Sequence, residues 1–242
     1  MPAALAGADQ PYFEFCRAII DATAPYVAAF KPQFAHFAAA GREVELARVI
    51  HYARERWPDH VVILDAKRGD IGSTAAFYAK EAYERYRAHA VTINPYLGEE
   101  SVRPFLDYED GGVVVLCRTS NPDSDWLQAH GLPPVHLRVA ERVMQWNTSG
   151  QCMLVTGATY PEELAEIRAA APTVPFLVPG IGAQGGDVAE VVANGRTEHG
   201  SGLLLSSSRA VIYADQGPQF ATAAAQQAEI LRDEINNLRD IL

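Results

Sequence analysis

The stretch Val61-Val62-Ile63-Leu64-Asp65-Ala66-Lys67-Arg68-Gly69-Asp70-Ile71-Gly72-Ser73-Thr74 decides the fold. Its apolar start, rich in β-branched residues, is typical of a parallel strand buried on both faces. Because side chains alternate along a strand, Asp65 and Lys67 are expected to point to the same side. The stretch therefore predicts a cluster of charge at the C-terminal end of a buried strand, which is where α/β proteins place their binding and chemical groups.

Taken alone, Asp-x-Lys-x-x-Asp is a weak pattern, because an Asp–Lys ion pair that closes off a strand would look the same. The rest of the chain alternates between strand-like and helix-like runs, which predicts a parallel sheet. Seven strands are visible, and each ends in polar, Gly or Pro residues. The helix after the decisive strand is predicted over residues 75–86, capped by Ser73 or Thr74. The first strand is predicted over residues 26–31.

Composition limits the class of protein. The chain has 242 residues, of which 48% are hydrophobic and 21% charged, as in a globular protein with a sizeable core. We expect one domain over residues 1–242. No apolar run is long enough to span a membrane, and no secretory signal is visible. The net charge of −10 argues against nucleic-acid binding. Three widely spaced cysteines and the histidine spacing indicate neither a disulfide framework nor a metal site, which favours the cytoplasm.

A glycine-rich stretch follows the sixth visible strand. Residues 180–185 match Gly-x-Gly-x-x-Gly, but a dinucleotide fold places this motif after its first strand and an acidic residue after the next one. Here the next strand leads to Arg209. A phosphate site fits better, with glycine amides and a helix N-terminus around the anion and Arg209 supplying charge. A plain glycine turn beside a surface arginine is the simpler alternative.

Other strand ends carry polar residues that suit the same edge of the sheet. Lys31 ends the first visible strand, and Pro32 fixes the chain behind it. Ser120 and Asn121 follow the fourth strand within Thr-Ser-Asn-Pro. Turn formation or simple solvation would also explain residues of these types. The loop that begins there is long for a connector, so it is a candidate lid.

The combination of motifs resembles the orotidine 5′-monophosphate decarboxylase family. Asp-Ala-Lys-Arg-Gly-Asp-Ile-Gly-Ser-Thr, Asn-Pro-Tyr-Leu-Gly, Thr-Ser-Asn-Pro, Pro-Gly-Ile-Gly-Ala-Gln-Gly-Gly and Ser-Ser-Ser-Arg occur in this order. The likeness spans residues 26–213 and is similar to the bacterial branch of the family. It implies a (β/α)8 TIM barrel that converts orotidine monophosphate to uridine monophosphate and CO₂ in pyrimidine biosynthesis, without a metal or organic cofactor.

The resemblance also implies roles for particular residues. Lys31, Asp65, Lys67 and Asp70 would form the catalytic array, with Asp70 entering the neighbouring subunit's site in a homodimer. Ser120 would hydrogen-bond the pyrimidine, Lys31 would also contact the ribose, and the phosphate would be bound at the glycine-rich end. The substrate-binding residues implied are Ile71, Thr74, Ser120, Asn121, Pro179, Gly182, Gln184 and Arg209.

One departure and two alternatives remain. The family opens with a strand ending in a Leu-Asp-Pro-Asp-like motif that this chain does not contain, so we expect a barrel that lacks its first strand. A related barrel enzyme, a sugar-phosphate decarboxylase or aldolase, shares Asp-x-Lys-x-x-Asp but uses Mg²⁺ and would need a further carboxylate for the metal. A non-catalytic protein that binds nucleotide phosphates is the second alternative.

Overall fold

A sheet of seven parallel strands forms the centre of the molecule. The computed structural model describes residues 2, 5, 7–182 and 185–241. The strands lie in sequence order, each beside its successor. They are β1 Ala29–Phe30, β2 Val61–Arg68, β3 Ala90–Ile93, β4 Gly112–Arg118, β5 Cys152–Thr156, β6 Phe176–Pro179 and β7 Leu203–Ser206. This is the predicted TIM-barrel architecture with seven strands in a nearly closed ring.

Helices connect the strands and cover the outside of the sheet. Within the described residues the α-helices are α1 Pro11–Thr23, α2 Phe34–Ala38, α3 Glu43–Arg56, α4 Gly72–Lys80, α5 Arg103–Leu106, α6 Asp125–Gln128, α7 Val135–Trp146, α8 Pro161–Ala170, α9 Val188–Gly195, α10 Arg209–Ile212 and α11 Phe220–Ile241. A π-helical turn, Glu81–Arg85, continues α4. None of the described helices is long and apolar enough to cross a membrane.

Two apolar layers hold the barrel together. One residue from each of several strands points to the inside, where Ile63, Val114, Val155 and Leu177 meet as a small buried cluster. Their sequence neighbours point outward and join the helices in a much larger core. This alternation explains why the strands read as continuous apolar runs, since both faces are buried.

The ring of strands is open at one place. Among the described residues, β1 pairs only with β2 and β7 only with β6. Every residue of β7 is partly exposed, in contrast to the buried β3. On the outside α11 packs against α1, and Phe15 stacks on Phe220 with ring centroids 5.4 Å apart. The helical layer is therefore continuous where the sheet is not.

Two local predictions were wrong. The first strand is shorter than residues 26–31, because Ala24–Tyr26 forms a 3-10 turn around Pro25. The helix after β2 begins at Gly72, and its N-cap is Ile71, with no side-chain cap from Ser73 or Thr74. Gly72 has a φ of +55°, so the chain enters this helix through a backbone conformation that glycine adopts easily.

Candidate active site

The candidate site is a cavity of about 510 Å³ at the carboxyl ends of the strands, a size that suits a small-molecule ligand. Seven of the predicted site residues line it: Lys31, Asp65, Lys67, Ser120, Asn121, Pro179 and Arg209. They come from the ends of five different strands, and the parallel arrangement brings those ends to one rim. The residues predicted from five separate strand ends are therefore brought together at one cavity.

The Asp65 carboxylate is the centre of the charged cluster. Its Oδ2 accepts hydrogen bonds from Lys31 Nζ at 3.0 Å and Gln33 Nε2 at 3.1 Å. Its Oδ1 accepts from Lys67 Nζ at 2.5 Å and Thr92 Oγ1 at 2.9 Å. These four bonds use about all the lone-pair positions that a carboxylate offers. Asp65 is thus fully satisfied and fixed between two ammonium groups.

The surrounding cations determine the protonation of Asp65. Burial by itself raises the pKa of this carboxyl, but the positive charge of Lys31 and the hydrogen bond and charge of Lys67 outweigh that effect. The pKa of Asp65 therefore lies below its usual value, and the group is ionised at neutral pH. The ionised carboxylate in turn holds the Lys67 side chain, which is 46% exposed and lines the cavity.

Lys67 has an unusual backbone conformation. Its φ is +49°, in the left-handed region that residues with a side chain rarely adopt. The register between β2 and β3 shifts between Leu64 and Arg68, so Lys67 sits in a local bulge of the strand. Such strained positions cluster at functional sites because the surrounding structure must hold them in place.

A buried arginine anchors the segment that carries Ser120 and Asn121. Arg118 ends β4 with 1% of its side chain exposed and pairs with Asp125 at 2.5 Å and with Glu163. It also bonds Ser124, which accepts from it and lies in the same loop. Arg118 therefore fixes the start of the loop that was predicted to act as a lid.

Two further contacts hold this segment. Gln128 Oε1 accepts the backbone N–H of Thr119 at 2.8 Å. Gly157 lies directly against Ser120, and a Cβ added to Gly157 would be 2.8 Å from Ser120 Cα. A glycine is required at this position, because any side chain would displace the Ser120 backbone.

The glycine-rich end of the cavity carries an available cation. Arg209, at the start of α10, makes no side-chain hydrogen bond or ion pair with any residue that the structure describes, and it lines the cavity beside Ser207 and Ser208. Gly182 lies in the adjacent turn with a φ of +69°, but it does not line the cavity. Gln184 lies outside the described residues.

The helix that follows this turn does not offer its N-terminus to an anion. The Asp187 side chain caps α9 by accepting the N–H of Glu190 at 3.0 Å. An anion at that end would meet a carboxylate, so the structure gives no support to the expected role of this helix in the phosphate site. Arg209 and the glycine-rich turn remain as the candidate phosphate ligands.

In addition to Gly182, three predicted residues on the segment after β2 lie outside the cavity of their own chain. Asp70 accepts the N–H of Ile71 at 2.8 Å and does not line the cavity. Ile71 is 48% exposed, and Thr74 is also exposed on α4. The structure thus separates this group from the Lys31–Asp65–Lys67 cluster within one chain.

Sequence reasoning missed three polar residues of the site. Gln33 and Thr92 bond Asp65, and Gln128 lines the cavity. Thr92 left a readable signal: it is the only polar residue of Ala90–Ile93, and its alternation places it on the inward face with Asp65. Gln33 and Gln128 lie in connecting segments, where no periodicity marks them.

The fold and the site define an α/β barrel with a cationic pocket for a small anionic ligand. Comparison with known proteins makes this specific: the chain belongs to the orotidine 5′-phosphate decarboxylase / HUMPS family, whose model matches residues 5–225.

Individual relatives cover nearly the whole chain. It is 52% identical over 244 residues to the orotidine 5′-phosphate decarboxylase of Ralstonia pickettii, which covers 99% of this chain and 90% of that protein. It is 54% identical over 241 residues to the enzyme of that name from Dechloromonas aromatica, covering 98% and 89%. The solved Leishmania donovani OMP decarboxylase superposes with a TM-score of 0.85 at 40% identity, covering 94% of this chain and 88% of that one.

Proposed function

We propose that this chain decarboxylates orotidine monophosphate to uridine monophosphate and CO₂ in pyrimidine biosynthesis. The observation that carries the proposal is the Asp65 carboxylate held between the ammonium groups of Lys31 and Lys67 at the cavity. Relatives that are about half identical in sequence carry the decarboxylase name, which supports the same reaction here.

The reaction requires stabilisation of negative charge at one ring carbon. The bond between C6 of the pyrimidine and its carboxylate breaks, CO₂ leaves, and the electron pair stays on C6. Lys67 is the nearby cation that stabilises this carbanion and then delivers a proton to C6. Asp65 holds Lys67 in place through a hydrogen bond, and Lys31 contributes a second positive charge on the other side of the carboxylate. The lysine regains its proton from solvent after product release.

The remaining cavity residues bind parts of the substrate that do not react. Ser120 and Asn121, anchored through Arg118, face the pyrimidine, while Lys31 also reaches the ribose. Arg209 pairs with the phosphate at the other end, and Pro179, Gly182 and Gln184 are the further residues proposed to assist it. Binding energy from the phosphate is used to orient the reacting ring.

A homodimer would complete each site. Asp70, with Ile71 and Thr74 beside it, lies outside its own cavity and projects from the end of β2. Large apolar side chains are exposed on the same segments and on the turn after β3, an arrangement typical of a protein interface. These side chains are Ile71 at 48%, Phe77 at 70%, Tyr96 at 75% and Leu97 at 50% exposure. In this arrangement Asp70 enters the partner's site next to Lys67.

The donor set also supports chemistry without a metal. Both Asp65 oxygens already accept bonds from cations or neutral donors. The described residues contain no group of three His, Cys, Asp or Glu side chains placed to hold an ion. We further propose that the whole chain acts as one domain and that it works in the cytoplasm, which suits its three free cysteines.

Turnover of orotidine monophosphate, followed by ultraviolet absorbance with and without EDTA, tests this function. We expect decarboxylation that is unchanged by the chelator. Loss of activity in EDTA with recovery in Mg²⁺ would instead indicate the metal-dependent sugar-phosphate class. Binding of uridine monophosphate without any turnover would indicate a non-catalytic binding protein.

A further inference from the structure

Thr92 is a buried polar residue in an otherwise apolar strand. It lies in Ala90–Ile93 and has 1% of its surface exposed. Its side chain faces the inside of the barrel and lines the base of the cavity. A hydroxyl at this depth is unfavourable unless its hydrogen-bonding capacity is used.

The Thr92 hydroxyl uses all of that capacity on two neighbouring residues and one carboxylate. It accepts the backbone N–H of Ala66 at 3.0 Å and that of Lys67 at 2.9 Å. It donates its own hydrogen to Asp65 Oδ1 at 2.9 Å. A threonine hydroxyl has one hydrogen and two lone pairs, so no bonding position remains free.

These bonds replace a missing part of the sheet. The register between β2 and β3 pairs Leu64 with Val91 and next pairs Arg68 with Ile93, so the intervening residues fall outside the regular ladder. A buried amide without an acceptor is strongly unfavourable, and Lys67 also has a left-handed backbone with φ +49°. The Thr92 hydroxyl is the acceptor for both amides of the bulge.

We propose that Thr92 is a positioning residue that fixes the backbone of Lys67 and the carboxylate of Asp65 relative to each other. This role rests on the function proposed above, because it acts through the ammonium group of Lys67. A lysine displaced by a fraction of an ångström would still occupy the cavity but would be misaligned with the reacting carbon. The loss is therefore expected in kcat rather than in ligand affinity.

Three variants test the proposal. Thr92→Val removes the hydroxyl at nearly constant volume, and Thr92→Ser keeps the hydroxyl but removes the methyl group. Thr156→Val is the matched control, because Thr156 is also 1% exposed in a strand but its hydroxyl has no hydrogen-bond partner among the residues that the structure describes. We expect Thr92→Val to lower kcat by about 10–100-fold with the dissociation constant of uridine monophosphate within about threefold of wild type.

Thr92→Ser and Thr156→Val are the controls for the loss of kcat expected in Thr92→Val. Thr92→Ser and Thr156→Val should keep kcat within about threefold of wild type, since the hydroxyl is retained in one and was unused in the other. Normal kcat in Thr92→Val would overturn the proposal, as would an equal loss in Thr92→Ser. If Lys67→Ala retained turnover, the proposed function would fail instead. If Lys67→Ala is inactive and Thr92→Val has a normal kcat, the proposed role of Thr92 fails while the proposed function stands.

Hydrogen exchange on the unmodified protein supplies a test that does not depend on the folding of any variant. The amides of Ala66 and Lys67 should exchange as slowly as those of the paired part of β2, since both donate to a buried oxygen. If these two amides exchanged as fast as the amides of open loops, the proposed role of Thr92 would be contradicted.

Discussion

Lys67 Nζ lies 2.5 Å from Asp65 Oδ1, although the two residues are separated by a strand bulge that turns the Lys67 backbone into the left-handed region. The bulge thus brings a strained lysine back onto a carboxylate that Lys31 already neutralises. Asp65 is 8% exposed and Lys67 is 46% exposed, so the pair offers the cavity a cation rather than an anion. This arrangement suits a reaction in which negative charge develops on the substrate.

Lys67→Ala is expected to remove most of the turnover while the protein still binds uridine monophosphate. The lysine acts mainly on the charge that develops in the transition state, so kcat should fall by about a thousandfold or more. Steady-state kinetics and titration calorimetry with uridine monophosphate measure the two quantities. Near-normal decarboxylation in this variant would be incompatible with the proposed mechanism.

Arg209→Ala is expected to weaken phosphate binding. The loss of a charge-assisted pair should reduce the affinity for uridine monophosphate by about 2–4 kcal/mol. Uridine lacks the phosphate, so its affinity should be the same in wild type and variant. Arg239→Ala is the control, because Arg239 lies on α11, does not line the cavity and forms an ion pair with its neighbour Asp240. Equal losses for uridine and uridine monophosphate would argue against a phosphate contact.

The lowered pKa of Asp65 predicts how stability depends on pH. Because the folded-state pKa lies below the value of about 3.9 for a free aspartate, the stabilisation is fully present above that value. It is lost as the pH falls through the folded-state pKa. Asp65→Asn should therefore reduce the free energy of unfolding by about 3 kcal/mol at neutral pH. This difference from wild type should shrink below about pH 4.

Urea unfolding at several pH values measures this difference, with Asp240→Asn, at the exposed end of α11, as the control. A difference between wild type and Asp65→Asn that grew on acidification would contradict the assigned direction of the pKa shift.

Arg168 is expected to stabilise the fold at the opposite end of the barrel. Its guanidinium is buried and pairs with no carboxylate of the described part of the chain. It donates to backbone carbonyls, among them Val174 O at 2.7 Å and Gly195 O at 2.8 Å. Burial lowers its pKa to about 10. Arg168→Met should leave these carbonyls without donors and reduce the free energy of unfolding by about 2–4 kcal/mol. A change below about 0.5 kcal/mol, as expected for Arg239→Met, would show that the carbonyls find other donors.

The strands and the residues at the rim of the site could be predicted from the sequence, because buried parallel strands appear as long apolar runs with polar ends. The seven parallel strands expected from the sequence are present among the described residues. No motif in the sequence pointed to Arg118. Its function as an anchor depends on Glu163, which is 45 residues away, and no local pattern reveals such a pairing.

The bulge at Lys67 was not predictable for a related reason. Alternation correctly placed Asp65 and Lys67 on one side, but the shift in register depends on which atoms of β3 lie opposite. The phosphate end shows the same limit: Asp187 caps α9 and takes the place expected for an anion. At the bulge the Thr92 side chain accepts backbone N–H groups, and at the start of α9 the Asp187 side chain does so. Neither contact can be read from the local sequence.

The shared active site is the most specific claim of the proposed function, because it assigns Asp70 and Lys67 of one site to different chains. Subunit exchange between two inactive proteins, Lys67→Ala and Asp70→Ala, tests it. In a mixed dimer one site would carry both changes and the other neither, since a two-fold interface is reciprocal. Equal amounts that pair at random give about half mixed dimers, each with one intact site of two.

Decarboxylase activity of the exchanged mixture is therefore the most direct measurement. With exchange confirmed by differently tagged chains, we predict recovery to about a quarter of the wild-type rate. If Asp70 served its own chain, every site in the mixture would keep one defect. Activity that stayed at the level of the separate variants would then contradict the shared site.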